Sequence, residues 1–352
     1  MTKGRNHFTR DMVVSLMVCL FAACASGVEE AGSLNDETND PSGLLATTEA
    51  TASSGVIGTW ELERIDLLDE SGQVLPTPDP PSFGSLDPVG QAVFNEEGFI
   101  GVTIMQRERP FGSSYTADEA IADLTGYVAF FGTYTLDEEA SRIDVEYKGH
   151  RNPVLTGQSN SHQVELSGAT LTVHLRPGPS GHDADLVWTR LPEVLDLTDT
   201  HEQVIGFWNH VPDEGHGRND PPVTPGFIIY TNSGRMMVHL MDPSRTVPKL
   251  STPTGEEAQE IVGSYTSYFG PFSVDEEGEY FIHHRIGHTL NLTNLPKEER
   301  RTGLDTDAQR FFEFSDDKMV LRYLSTAGVQ EPPEDKGSFE SMITWQRLTS
   351  QR

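Results

Sequence analysis

The body of this chain is written twice. Val56-Ile57-Gly58-Thr59-Trp60 returns as Val204-Ile205-Gly206-Phe207-Trp208. Val93-Phe94-Asn95-Glu96-Glu97-Gly98-Phe99 is answered by Ile229-Tyr230-Thr231-Asn232-Ser233-Gly234-Arg235, and Phe130-Phe131-Gly132-Thr133-Tyr134 by Tyr268-Phe269-Gly270-Pro271-Phe272. Leu186-Val187-Trp188-Thr189-Arg190-Leu191 closes the first copy as Ile343-Thr344-Trp345-Gln346-Arg347-Leu348 closes the second. All four tryptophans stand at these openings and closings, one pair per copy. A chain built this way folds as one domain made twice, over residues 55–192 and 204–349, with residues 193–203 as a short acidic linker.

Within each copy the signals are mainly β. Residues 91–105 read as a hairpin turning at Asn95-Glu96-Glu97-Gly98, with Asn232-Ser233-Gly234 as its counterpart. Apolar and polar residues alternate through Ile143-Asp144-Val145-Glu146-Tyr147 and through Leu171-Thr172-Val173-His174-Leu175. One helix is inserted after the first hairpin. Thr116-Ala117-Asp118-Glu119 is a capping-box signature, and Thr254-Gly255-Glu256-Glu257 repeats it. Ile121, Leu124, Val128 and Phe131 then share one helical face, as do Ala258, Ile261, Val262, Tyr265 and Phe269. The pattern predicts a mainly β fold: two tandem antiparallel barrels, each with one helix against it.

The order of these elements, from the Gly-x-Trp opening through the glycine-turned hairpin, the capped helix and the Phe-Gly motif to the final Trp-x-Arg-Leu, resembles the bacterial and fungal lipocalin-like domain family. The resemblance covers residues 56–191 and 204–348. It implies two small lipocalin-like β-barrels, each with an interior cup. It also implies a His-His pair on a late strand of the cup and an Arg on the next strand, which here would be Arg310.

The first thirty residues read as an address. Lys3, Arg5 and Arg10 precede a dozen mostly apolar residues ending in Phe21-Ala22-Ala23-Cys24. That core suits a signal peptide and is too short to span a bilayer. Small residues before a cysteine resemble a bacterial lipobox, which predicts a signal peptide over 1–23 and lipidation of Cys24. Ordinary cleavage after Ala23 or Ala25, releasing a secreted or periplasmic protein, is the alternative. Ala25 after the cysteine implies outer-membrane sorting in a Gram-negative cell. Residues 24–54 hold no aromatic side chain and are rich in Ser, Thr, Gly and acids. Such a stretch buries too little apolar surface to offset its ordering entropy and reads as a disordered acidic tether.

With 54 acids against 25 bases the net charge is −29. That excludes nucleic acid as a partner, since phosphate demands clustered bases. Removing residues 1–23 strips three bases and one acid, so the exported form is more acidic still. The only cysteines, Cys19 and Cys24, offer neither a disulfide framework nor a Cys-based zinc site in the folded part. There is no Gly-x-Ser-x-Gly, no phosphate-binding loop and no dinucleotide fingerprint. No cofactor is expected.

The densest polar cluster is Ile282-His283-His284-Arg285-Ile286-Gly287-His288. On a strand, His284 and His288 point one way and His283 and Arg285 the other. If His284 and Arg310 face the interior, they offer a carboxylate or enolate ligand two donors. Tyr230, His239, His162 and His288 complete the candidate ligand contacts. A metal held by His284, His288 and His239 requires a bend, because strand positions four apart lie about 13 Å from each other; no metal is expected. The other reading is that these histidines are satisfied polar groups on a half-exposed strand. The first copy differs here: Val145 to Lys148 replace His283 to Ile286, His162 stands at the position of Arg310, and only His150 echoes His288. Either the two cups take different ligands or one has become structural, and the divergence of the polar positions favours the first copy as the support. Arg107, Arg109 and Arg245 follow matching hairpin strands and could rim a cup, or be solvated turn residues.

Three functions compete. The first is a membrane-anchored protein binding a small apolar or amphipathic molecule in a cup, touching the membrane through its lipid alone. The second is an isomerase, cyclase or dehydratase using His284 and Arg310. The third is a structural module docking another envelope protein.

Overall fold

The alternation carries straight into strands. In the computed structural model, residues 55–76, 88–106, 116–176, 183–194, 196–211, 225–248, 253–289, 306–324, 328, 339 and 341–349 are described. Cys24, the leader, the tether, Arg107 and Arg109 lie outside them, as does the side chain of His288. The first copy runs β1 (Gly58–Leu68), β2 (Pro88–Phe94), β3 (Phe99–Gln106), α1 (Ala117–Thr125), β4 (Tyr127–Asp137), β5 (Arg142–His150), β6 (Ser159–Ser167), β7 (Thr170–Leu175) and β8 (Asp183–Arg190). Each strand pairs antiparallel with the next, and β8 returns to β1 to close an eight-stranded barrel.

After a connecting helix α2 (Asp199–Val204), the second copy repeats the plan: β9 (Gly206–Val211), β10 (Gly226–Tyr230), β11 (Arg235–Met241), α3 (Gly255–Gly263), β12 (Tyr265–Asp275), β13 (Tyr280–Arg285), the two-residue β14 (Gly287–His288), β15 (Thr306–Ser315), β16 (Lys318–Tyr323) and β17 (Ser341–Arg347). The order β11-β10-β9-β17-β16-β15-β13-β12 closes through β11–β12 pairing, and β14 continues alongside β12. Two closed eight-stranded antiparallel barrels stand in tandem. Closure removes the free sheet edges.

The repeated ends of each copy form a clasp. Gly58 and Gly206 sit at φ of 134° and 139°, which an L side chain rarely adopts. A Cβ on either would lie 2.7 Å from Nη1 of Arg190 or Arg347. Those guanidiniums stack over Trp60 and Trp208, 4.1 and 4.2 Å from the rings. They donate to the carbonyls of Ile57 and Gly55 in the first copy, and of Ile205 and Gln203 in the second. Gly-x-Trp and Trp-x-Arg therefore lock each barrel's first strand to its last.

Both capping boxes form, with the side chains of Thr116 and Thr254 accepting from the backbone N–H groups of Glu119 and Glu257. The helices are shorter than the apolar stripe predicts. Val128 and Phe131 lie on β4, and Tyr265 and Phe269 on β12. Gly126 and Ser264 end the helices, and the β-branched and aromatic run that follows is better served by a strand buried on both faces. On α1 the buried positions include Asp123, whose carboxylate meets the equally buried Arg151 guanidinium, rather than Ile121 or Leu124.

That two-sided burial arises because the barrels pack on each other. Met105, Tyr127 and Phe131 of the first copy join a core with their own repeat counterparts Met241, Tyr265 and Phe269, together with Phe207, Phe227, Ile229 and Met237. The Phe131 and Phe227 ring centroids are 4.6 Å apart. Equivalent helix starts also meet: a Cβ on Gly255 would lie 2.2 Å from the Cβ of Ala117. Contact between equivalent positions is the mark of a twofold arrangement, here inside one chain.

Candidate ligand-binding site

Strand alternation sends one set of side chains into each barrel, and the repeat allows them to be compared position by position. The interior of the first barrel presents Phe94, Phe130, Val145, Tyr147 and His162, with Trp60 and Trp188 among the surrounding core. The cavity left among them is about 40 Å³ and is lined by apolar side chains except at His162. The equivalent positions in the second barrel are Tyr230, Tyr268, His283, Arg285 and Arg310, all buried. That barrel holds a cavity of about 190 Å³. Its walls are Ile228, Val238, Leu240, Leu321 and Ile343 on the apolar side and Thr266, Tyr268, Arg310, Tyr323 and Trp345 on the polar side.

The polar wall is held by a buried triad. His283 Nε2 lies 2.8 Å from the Tyr230 hydroxyl, and Nδ1 lies 3.1 Å from that of Tyr268. Burial drives the imidazole well below its ordinary pKa, and the charges of Arg310 and Arg285 add to this, so the ring is neutral. Burial likewise holds the Tyr230 phenol well above its usual value. A neutral imidazole has one N–H and one lone pair. If Tyr230 donates to Nε2, then Nδ1–H donates to the Tyr268 oxygen, and the one hydrogen of the triad left over is that of Tyr268, which lines the cavity. The opposite tautomer strands the Tyr230 hydrogen among buried rings, a cost of about 1–3 kcal/mol. The first arrangement leaves the Tyr268 O–H directed to partners other than His283.

Two guanidiniums complete this end. Arg310 lies over the Tyr323 ring at 4.7 Å and donates to the Gln309 carbonyl at 2.7 Å. Arg285 lies 5.7 Å from the Tyr268 ring, and burial lowers its pKa to about 10, so it stays charged at neutral pH. No carboxylate among the described residues pairs with Arg310.

The expected residues are distributed differently from the prediction. Arg310 lines the cavity, and Tyr230 stands one layer behind it, in the triad. His284 is on the outer face: its Nδ1 lies 2.9 Å from Asp307 and its Nε2 3.0 Å from the Ser273 hydroxyl, with 39% of the side chain exposed. The inward histidine is its neighbour His283. The repeat register carries the signal for this, since His283 and Arg285 align with the apolar Val145 and Tyr147, whereas His284 aligns with the exposed Glu146. His239 belongs to neither cup. It is sealed between the barrels, 3.0 Å from the Tyr265 hydroxyl and facing Phe131, so it does not meet His284 around an ion. His162 faces the small cavity of the first barrel, and burial lowers its pKa to about 4. His288 pairs through its backbone with Tyr268. Arg245 is no rim residue, because it donates across the junction to the carbonyls of His150 and Arg151. Tyr268 and Trp345 stand in the repeated frame motifs and carry no separate sign of a site, while His283 and Arg285 belong to the polar cluster but lie on the strand face opposite the one expected to point inward.

Comparison with known proteins bears on this architecture. A family model described as a lipocalin-like domain matches residues 57–191 and again residues 222–348. No match was found among curated proteins. Among solved structures, a protein of unknown function from the DUF3598 family of Nostoc punctiforme aligns over 84% of this chain and 97% of its own, at 11% identity and a TM-score of 0.16. A superposition of that quality carries no inference about shape or role.

Proposed function

Since this chain belongs to the lipocalin-like domain family, we propose that it is a binding protein whose second barrel takes a small amphipathic molecule while the first serves as support. The observation that carries this is the five-position exchange: Phe94, Phe130, Val145, Tyr147 and His162 become Tyr230, Tyr268, His283, Arg285 and Arg310, and the cavity grows from about 40 to about 190 Å³. A pocket with mostly apolar walls and a few convergent polar groups is the usual form of a small-molecule site. Binding is favoured over catalysis because burial moves His283 and Tyr230 away from neutrality in opposite directions, leaving neither ready to exchange a proton near pH 7.

The anchoring rests on residues 1–24. The lipobox-like ending at Cys24 supports a lipid-anchored protein of the cell envelope, tethered through residues 24–54. Two measurements test the whole reading. Solvent extraction of protein purified from its native membrane should release a bound species, and Val238→Trp, which fills the cavity, should abolish it. Cys24→Ala should move the protein from the membrane to the soluble fraction and end its labelling by fatty acid.

A further inference from the structure

We infer that the second barrel selects compact monocarboxylates, carrying the anionic head against Arg310, Tyr268 and Trp345 and a short apolar body against Ile228, Leu321 and Ile343. This rests on the binding reading above and goes further by naming the chemistry of the head and the size of the body.

The one charged side chain among the described lining residues is a cation, Arg310. Arg310 has only N–H groups to offer. Its described partners, the Gln309 carbonyl and the Tyr323 ring, carry no full negative charge. Trp345 is 1% exposed, lines the cavity, and has an indole N–H with no hydrogen-bond acceptor. With His283 protonated on Nδ1, its N–H satisfies the Tyr268 oxygen and the hydroxyl hydrogen of Tyr268 is left for a ligand. Among the described residues, no Asp or Glu lines the cavity. An amine would meet the like charge of Arg310, and an alcohol would leave that buried guanidinium without a counter-charge. A carboxylate accepts all three donors and neutralises Arg310, with a charge-assisted hydrogen bond as the strongest contact. The exterior is acidic overall, so this positive interior stands out by position rather than by composition.

Size restricts the body. A cavity of roughly 150 Å³ accepts a benzene ring of six carbons, so about 190 Å³ suits an apolar body of roughly seven or eight non-hydrogen atoms.

The test is calorimetric titration of the folded full chain with octanoate, octanol, octylamine and hexadecanoate. Octanoate should bind at least tenfold more tightly than octanol, octylamine should not bind, and hexadecanoate should bind more weakly than octanoate. Arg310→Met should abolish the preference for octanoate over octanol, by weakening octanoate and not octanol. Tyr268→Phe, which keeps the ring, should weaken octanoate about three- to tenfold and serves if Arg310→Met fails to fold. Equal binding of octanoate and octanol would overturn the head-group selection while leaving the binding reading intact. Tighter binding of hexadecanoate would overturn the size limit. Binding of none of the four would overturn the binding reading itself.

Discussion

His283 and His284 are chemically identical neighbours with opposite situations, and their substitution should separate accordingly. Tyr230→Phe removes the donor that satisfies His283 Nε2 in a fully buried setting. Urea unfolding should show a loss of about 1–3 kcal/mol. His284→Ala removes an exposed pair with Asp307 and should change stability by less than about 0.5 kcal/mol. Equal effects would contradict the inward assignment of His283. Acid sensitivity belongs to the same scale. Burial lowers the pKa of His150 and of His239 from 6.5 to about 3. The folded form therefore binds fewer protons than the unfolded chain between these values. Their contribution is complete above pH 6.5 and declines as pH falls, by about 1.4 kcal/mol per unit for each histidine. Urea midpoints should drop from pH 7.5 to pH 5, and His239→Gln should flatten that slope.

At the level of strands, glycines mark where one backbone crosses close to another. A Cβ on Gly132 would lie 1.9 Å from the Glu146 carbonyl oxygen, and one on Gly270 would lie 2.0 Å from that of His284. Gly270→Ala should cost about 2–3 kcal/mol by equilibrium unfolding, whereas Gly72→Ala, on an exposed turn with open space around it, should cost less despite its positive φ. Much of this frame could be read from the chain because glycine, tryptophan and capping threonine do one mechanical job wherever they recur. Strand parity was harder. Phe281 and Ile282 are both apolar, so alternation in the second copy alone leaves open which side of β13 faces inward. The helix boundaries failed for a related reason: Val128 and Phe131 satisfy a helical stripe, yet Phe130 turns into its own barrel while Phe131 turns toward the other. A residue buried against a second domain looks, in one dimension, like more of the first.

The molecule as a whole behaves as an internal dimer. Gly255 touches Ala117, and rings from both copies share one apolar layer. Gly255→Val should force the helices apart, and scanning calorimetry should then resolve two transitions where the parent shows one. The buried Asp123–Arg151 pair lies beside this seam, with the Arg151 carbonyl accepting from Arg245 of the other copy. Asp123→Ala should destabilise by about 3–5 kcal/mol because it leaves a charge buried without its partner.

Neighbouring residues on one strand thus report to different audiences. Phe130 answers to its own barrel and Phe131 to the sister barrel; Tyr268 and Phe269 divide the work in the same way. Mutation can rewrite the inward letters without touching the outward ones that hold the halves together. A duplicated chain of this kind divides its positions: seam residues of both copies secure the assembly, while the inward positions of each barrel are free to differ. Tyrosines, a histidine and arginines stand inside the second barrel where the first is mainly apolar, while Met105, Tyr127 and Phe131 keep their identity at the seam as Met241, Tyr265 and Phe269.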